Sequence, residues 1–480
     1  MKDAEKIDNK EIILVFILVI LSFIYRLFFL YMPLDRNEGT YAYTAQRICE
    51  GELPYKDVFD NKQPFIYYIY KTAFDIFGQK PEAIRYFTNF YFLILSLFFY
   101  SFIRLFFNSF ISLLTLFIFI LHLNNHTLQG LNSNTEIFTL LPIIISLIFL
   151  INKEKHYENV NLFLTGFFIG IAFFIKMLVG FLILLPVLYI LKFFHKKNKL
   201  KFIIWFLSGF FLMVIFTILW TVKNGILNEF IKCSIICNFN YINASEINFS
   251  LIFKGGIYFI KTNFILFLAL LYGIYKLFIN KKDEVAFILV ISVILLYSGI
   301  IILRGFYPHY YIIIIPFLSF LSAILINDIY LKLKRKFNKK IIISLTLIFF
   351  IFVYFFYFIK VNNVIKYIKS GYYTMEIFYE AKVIGEIINN QKTNADKIFV
   401  YCNEPEIYFY TGTKAPTKFI YNYAEKFEKN QFLNMLENVK KEMPEFFIKE
   451  KNSSNYFEEF LDANYRKIIE FNSLILLKRR

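Results

Sequence analysis

The feature that most constrains this chain is the repetition of apolar runs of roughly 18–22 residues, the length that crosses about 30 Å of hydrocarbon. They fall at 11–31, 84–106, 109–127, 132–151, 160–175, 177–194, 202–221, 256–279, 285–303, 310–328 and 341–359. They predict an all-α polytopic membrane protein with about eleven transmembrane helices. Composition agrees: 58% of the 480 residues are hydrophobic, against about 45–50% in soluble domains. The first run is long and is followed by no small-residue cleavage site, so it reads as a retained span rather than a signal peptide.

The formal net charge is +17. Its lysines and arginines gather in short loops, "KEKHYEN", "HKKNKLK", "NKKDE" and "KLKRKFNKK". That is the positive-inside pattern, and it assigns the charge to membrane topology, not to a nucleic-acid partner. It places the amino terminus in the cytoplasm and sends the last span to the outer side of a bacterial inner (plasma) membrane. The other loops, "LNNHTLQG", the turn at Lys176 and "RGFYPH", then face outward. The four cysteines, Cys49, Cys233, Cys237 and Cys402, form no disulfide framework or metal-ligand spacing.

Two outward segments are long, 32 to about 82 and 222–255. Loops beyond about 15 residues are usually functional or disordered, and these carry helical stretches with apolar faces. After about residue 360 the pattern changes. "ADKIFVYCNEPEIYFYTGTKAP" reads as strand, turn and short helix; "EFFIKEKN" and "YRKIIEFNSLILLKRR" read as further strands. The expected organisation is a transmembrane domain over 1–360 and a small extracytoplasmic α/β domain over 361–480.

The residues able to carry chemistry collect on the predicted outer side: Asp35, Glu38, Asp60, Lys62, Glu136, Lys176, Arg304 and His309. Charge near a span is expensive and is usually kept for pairing or function. The shared side predicts one polar cavity. In "PLDRNEGTYAY", Asp35 and Glu38 have the spacing of a capping box, and either could also take a proton from an attacking hydroxyl. In "GELPYKDVFDNKQPFIYYIYK", Tyr55 and Asp57 precede Asp60 and Lys62; Lys62 could hold a phosphate or simply pair with Asp60. "NSNTEIF" puts Glu136 at the start of a span, as site acid or as cap. Lys176 is a site cation or a snorkelling lysine. In "LRGFYPHYYIIIIPF", Arg304 and His309 with Tyr310 and Tyr311 suit an anionic headgroup, since guanidinium bridges phosphate oxygens.

Taken in order, "LDRNEGTYAYTAQRICEGELPYKDVFDNKQPFIYYIY", "NSNTEIF", "FFIKM" and "RGFYPHYYIIIIPF" resemble the motifs of bacterial GT-C glycosyltransferases, in the branch of the protein O-mannosyltransferases and the lipid A aminoarabinose transferases. With the carboxy-terminal domain the resemblance covers nearly the whole chain. It implies an inverting transfer, on the outer side, from a polyprenyl-phosphate sugar to a lipid, glycan or protein acceptor. A first-loop carboxylate would be the base, Glu136 the second acidic position, and Lys62, Lys176, Arg304 and His309 the holders of the leaving phosphate. No cofactor is otherwise implied; some relatives bind a divalent metal. The chain departs from the pattern at Asn37, where the family usually has aspartate. An amide has no useful basicity, so Asp35 or Glu38 must serve, or the chain is a catalytically impaired relative that binds lipid-linked sugar. Gln63 stands where the family tends to have proline. A lipid-linked-sugar flippase, the remaining alternative, would need midplane charges and pseudo-symmetric halves, which the sequence lacks.

Overall fold

Apolar runs become helices, and polar punctuation decides where they break. In a computed structural model the described residues are 8–152, 157–194, 196–244, 249–304, 306–338, single residues between 341 and 352, 373–393, 397–422, 429–453 and 455–480. Among the described residues the helices in order are α1 (Asn9–Leu27), α2 (Arg36–Cys49), α3 (Phe65–Phe77), α4 (Pro81–Arg104), α5 (Ser109–Leu123), α6 (Thr135–Ile151), α7 (Glu158–Ile175), α8 (Leu184–Phe193), α9 (Lys199–Lys223), α10 (Leu227–Phe230), α11 (Cys237–Ala244), α12 (Phe249–Thr262), α13 (Phe264–Ile279), α14 (Glu284–Ile302), α15 (Ile315–Lys334), α16 (Tyr373–Gln391), α17 (Glu406–Thr411), α18 (Lys429–Glu442) and α19 (Glu458–Asn464). Among the described residues five helices are long and apolar enough to cross a membrane, or six if one bent pair counts as a span; shorter apolar helices accompany them. The chain is a multi-pass membrane protein. The eleventh run, 341–359, lies largely outside the described residues.

The single span expected at 256–279 is instead that bent pair, with an angle of 102° between Ile252–Thr262 and Phe264–Ile279. Its cause is local. Asn263 donates from Nδ2 to the Phe259 carbonyl at 3.1 Å and to Thr262 Oγ1 at 2.8 Å. Such short polar side chains compete with the helical ladder. A second break falls at Lys176, whose extended backbone (φ −145°, ψ 116°) ends α7 and leads into a 3-10 stretch, Met177–Ile183.

The chain forms two compact units. The first gathers Met1–Phe29, Thr88–Ile218 and Glu246–Val364; the second gathers Leu30–Phe87, Leu219–Ser245 and Ile365–Arg480. In the first, α7 and α9 meet backbone to backbone. A Cβ on Gly166 would lie 1.9 Å from the Phe206 carbonyl oxygen, and one on Gly209 would lie 1.9 Å from that of Phe163. Lipid is as apolar as leucine, so helices in a membrane associate by such close packing rather than by hydrophobic burial.

The second unit contains the first long loop, the second as far as Ser245, and the chain from Ile365 to Arg480. Its sheet comprises β1 (Ile398–Tyr401), β2 (Phe446–Glu450), β3 (Tyr465–Glu470) and β4 (Leu474–Arg479) in the order β1-β2-β4-β3. β1 and β2 are parallel, and the other pairs are antiparallel. Ile398, Phe399, Val400, Phe446, Phe447 and Ile448 are buried, as their near-continuous apolar runs require.

Candidate active site

The polar motif after the first span builds the amino terminus of α2. Asp35 is its N-cap: Oδ1 accepts the Glu38 amide at 2.8 Å, and Glu38 Oε2 accepts the Asp35 amide at 3.0 Å. The capping box read from the spacing is therefore present. Its second acid is also an ion-pair partner. Arg85, at the start of α4, grips Glu38 with both terminal nitrogens, Nη1 on Oε1 and Nη2 on Oε2, the latter at 2.8 Å. Glu38 is 0% exposed and Arg85 3%. Such fork pairing is strong and directional. Asp35 is buried and Asn37 half-buried.

The same motif holds the carboxy-terminal domain. The Leu34 amide donates to Tyr410 Oη at 2.8 Å, and the Ala415 amide to Tyr43 Oη at 2.8 Å. Arg36 pairs with Glu404 and donates to the Asn403 carbonyl at 2.6 Å. Gly39 makes room for Glu406: a Cβ there would come within 2.7 Å of it. Glu406 is fully buried, and among the described residues neither of its carboxylate oxygens has a hydrogen-bond partner. Burial first, and the neighbouring Glu404 second, push its pKa well above the usual carboxylate range.

Asp60 is the hub of the rest of the first loop. It accepts from Tyr67 at 2.8 Å, from Tyr421 at 3.2 Å and from the Asn61 amide at 2.7 Å, with Lys62 Nζ at 3.9 Å. Burial, then the Asp60 charge, raises the Tyr67 and Tyr421 phenols well above their ordinary range, so both remain donors. Lys62 donates to Asn61 Oδ1 at 2.7 Å, and Asn61 is cross-bonded to Asn238 of the second long loop. Tyr55 is wholly buried at φ 71°, its hydroxyl on the Lys62 carbonyl at 2.8 Å. A bulky residue in that left-handed region is held there by its surroundings, here by the Tyr67 and Phe230 rings. Gln63 donates to the Ser234 carbonyl at 3.4 Å.

In the first unit, Glu136, Lys176, His309 and Tyr310 come together from three separate stretches of chain. Lys176 Nζ lies 2.8 Å from Glu136 Oε1 and 4.0 Å from the centroid of the Tyr310 ring. Thr135 donates to Glu136 Oε2 at 2.9 Å. Glu136 is 0%, Lys176 8% and His309 7% exposed. The extended backbone at Lys176 frees the chain from helix at the residue that makes the pair. The His309 ring meets Tyr310 edge-on at 5.0 Å, and its Nδ1 lies 2.6 Å from Gln129 Oε1. Arg304, at φ 54°, follows α14 five residues before His309. Glu136 and Lys176 neutralise each other, so a protonated His309 adds net positive charge.

Arg85, Glu404, Glu406 and Gln129 were not legible as site residues. Arg85 has a trace in the sequence, as a charge at the entrance to an apolar run; Gln129 has none. Among the described residues no group of three or more His, Cys, Asp or Glu is arranged to hold a metal ion, and no step below runs through one.

A sequence profile of the dolichyl-phosphate-mannose-protein mannosyltransferase family matches residues 61–220. No curated protein matches the chain by sequence. Among solved structures, ArnT from Cupriavidus metallidurans bound to undecaprenyl phosphate aligns over 97% of this chain and 97% of its own, at 11% identity and TM-score 0.66. The same protein in the apo state gives 0.63 over the same coverage and identity. The apo oligosaccharyltransferase of Archaeoglobus fulgidus gives 0.54 at 11% identity, covering 94% of this chain and 71% of its own. At such identity the likeness is one of fold, and it extends across the chain well beyond the residues the profile matches. The chain is therefore built on the GT-C fold, and its residues 61–220 carry the sequence pattern of the protein mannosyltransferases.

Proposed function

We propose that this protein is a membrane glycosyltransferase that moves a sugar from a polyprenyl-phosphate donor to an acceptor hydroxyl, with inversion, on the outer face of a bacterial inner membrane. The observation that carries the reading is the buried cluster of Glu136, Lys176, Tyr310 and His309, assembled from the motifs that resemble the GT-C glycosyltransferases. The undecaprenyl phosphate bound to the structurally similar ArnT supports a lipid-phosphate donor, and the lysine-rich loops support the outward orientation. A base takes the acceptor proton, the acceptor oxygen attacks the anomeric carbon, and the bond to the lipid phosphate breaks with its electron pair on the departing oxygen. Negative charge grows on that phosphate, and fixed cations aimed at developing charge are strong catalytic devices. Lys176, His309 and Arg304 take that role. Because the Arg85 guanidinium grips both oxygens of Glu38, Asp35 takes the role of base.

A second reading rests on Asn37. With an amide at the usual acidic position, the chain binds lipid-linked sugar without turning it over. Incubation of the purified protein with a radiolabelled undecaprenyl-phosphate sugar and a membrane extract as acceptor separates the two. Labelled acceptor supports transfer; retained donor without product supports the binder; neither binding nor product overturns both.

A further inference from the structure

The charges at one end of α13, α14 and α15 do not balance. α13 and α15 pack closely: a Cβ on Gly273 would lie 2.6 Å from Leu321 Cδ2. Between residues 264 and 338 the acids are Asp283, Glu284 and Asp328, and each has a partner. Asp328 of α15 pairs with Lys276 of α13 at 2.6 Å and accepts the Tyr272 hydroxyl at 2.5 Å. That pair ties the ends of α13 and α15 to one level. Asp283 caps α14 by accepting the Ala286 amide at 3.0 Å, and Glu284 accepts the Tyr189 hydroxyl at 2.7 Å.

Five basic residues at the same end are left over. Lys281 and Lys282 lie in the turn after α13, and Lys334, Arg335 and Lys336 lie at the end of α15. All five are exposed, and among the described residues none has an acidic partner. Such a surplus repels itself and draws anions from outside the chain. The apolar neighbours tell which anions fit. Phe278, Ile279, Leu333 and Phe337 are exposed among these cations. A soluble phosphate offers nothing to those side chains. A phospholipid offers a phosphate to the cations and acyl chains to the apolar groups, and long basic side chains reach from one level to the other. Basic clusters just beyond a transmembrane helix have this affinity for anionic leaflets.

We infer that the joined ends of α13 and α15 form a binding site for the headgroups of anionic phospholipids, held by the turn at Lys281 and Lys282 and by Lys334, Arg335 and Lys336. The site lies at the opposite end of α14 from Arg304, and its occupancy is independent of sugar transfer.

The test uses the full chain in nanodiscs of equal phosphatidylglycerol and phosphatidylcholine. The protein is released into detergent and its retained lipids are counted by native mass spectrometry. The wild type should keep phosphatidylglycerol over phosphatidylcholine by about five-fold or more, the electrostatic share of one basic residue at an anionic surface. Lys334→Gln/Arg335→Gln/Lys336→Gln should bring the ratio close to one, and Lys281→Gln/Lys282→Gln should lower it on its own. Lys334→Arg/Lys336→Arg, which keeps the charge, should leave it unchanged. So should Lys10→Gln/Lys153→Gln/Lys155→Gln, which removes three lysines elsewhere in the chain. A wild type without preference overturns the inference. Equal losses from the two triple Gln variants overturn it too, because the overall charge of the chain and not this site would then attract the lipid. A ratio that falls in the Arg variant does the same, by making packing and not charge the cause. Both faces of a nanodisc are open to lipid, so each outcome holds whichever way the chain is oriented.

Discussion

The first-loop motif and the Lys176 cluster hold the same kinds of side chain and use them differently. In the first, the acids are bound up with the scaffold, Glu38 most of all. Asp35 and Glu38 cap α2, Arg85 locks Glu38, and Arg36 holds Glu404. In the second, a buried ion pair lies under an aromatic ring beside a histidine whose Nδ1 meets a glutamine side chain. A charge-rich motif is thus weak testimony of chemistry on its own. What distinguishes the second cluster is that its charges are balanced by each other, with a titratable ring added, while those of the first are largely consumed by backbone and guanidinium.

The sharpest way to break this contrast is Lys176→Met. It strands Glu136 in a buried site, and removing one partner of a buried pair costs about 3–5 kcal/mol, read as a lower unfolding midpoint in detergent. The double variant Glu136→Gln/Lys176→Met should regain most of that stability and none of the donor affinity. Stability that stays lost in the double variant would make the pair a scaffold like Arg85–Glu38.

Next comes Asp35→Asn. Asparagine caps a helix about as well as aspartate, so the melting temperature should hold while transfer falls by about 10²-fold or more, the share of a general base. Full activity in this variant would remove Asp35 from the reaction and return attention to Glu38.

A smaller effect concerns Glu406, which faces Glu404, Arg36 and Asp35 electrostatically. Its pKa is raised in the folded protein, so the unfolded chain releases this proton at lower pH. Stability from this group is therefore present below the ordinary carboxylate range near 4.5 and is lost as pH climbs toward the raised value. Glu406→Gln should flatten that decline and be the more stable form at pH 8; parallel melting curves for the two proteins from pH 4 to 8 would contradict it. The smallest effect belongs to Lys71→Ala on α3. Its partner Asp75, at 2.7 Å, is half exposed, and such pairs contribute about 0.3–0.5 kcal/mol, so the melting temperature should move by a degree or less.

Much of the frame was legible because it depends on neighbours along the chain. Helical spans follow from unbroken apolar length, the capping box from Asp35 and Glu38 at three-residue spacing, and the carboxy-terminal strands from runs such as "KIFVY" and "EFFIKE". Even the bend at Asn263 has a local cause, although hydropathy alone hid it inside one run.

By itself, then, the sequence determined a multi-pass helical protein, the capped entry of α2, the small sheet and the motifs that carry the family pattern. Only the tertiary structure decided the partners: Arg85 for Glu38 across 47 residues, Gln129 for His309 across 180, Arg36 for Glu404 across 368. The physical reason is that periodicity and capping are set within a turn or two of chain. The choice among many possible polar partners is made by packing, which brings one donor to one acceptor and leaves the others in lipid or water.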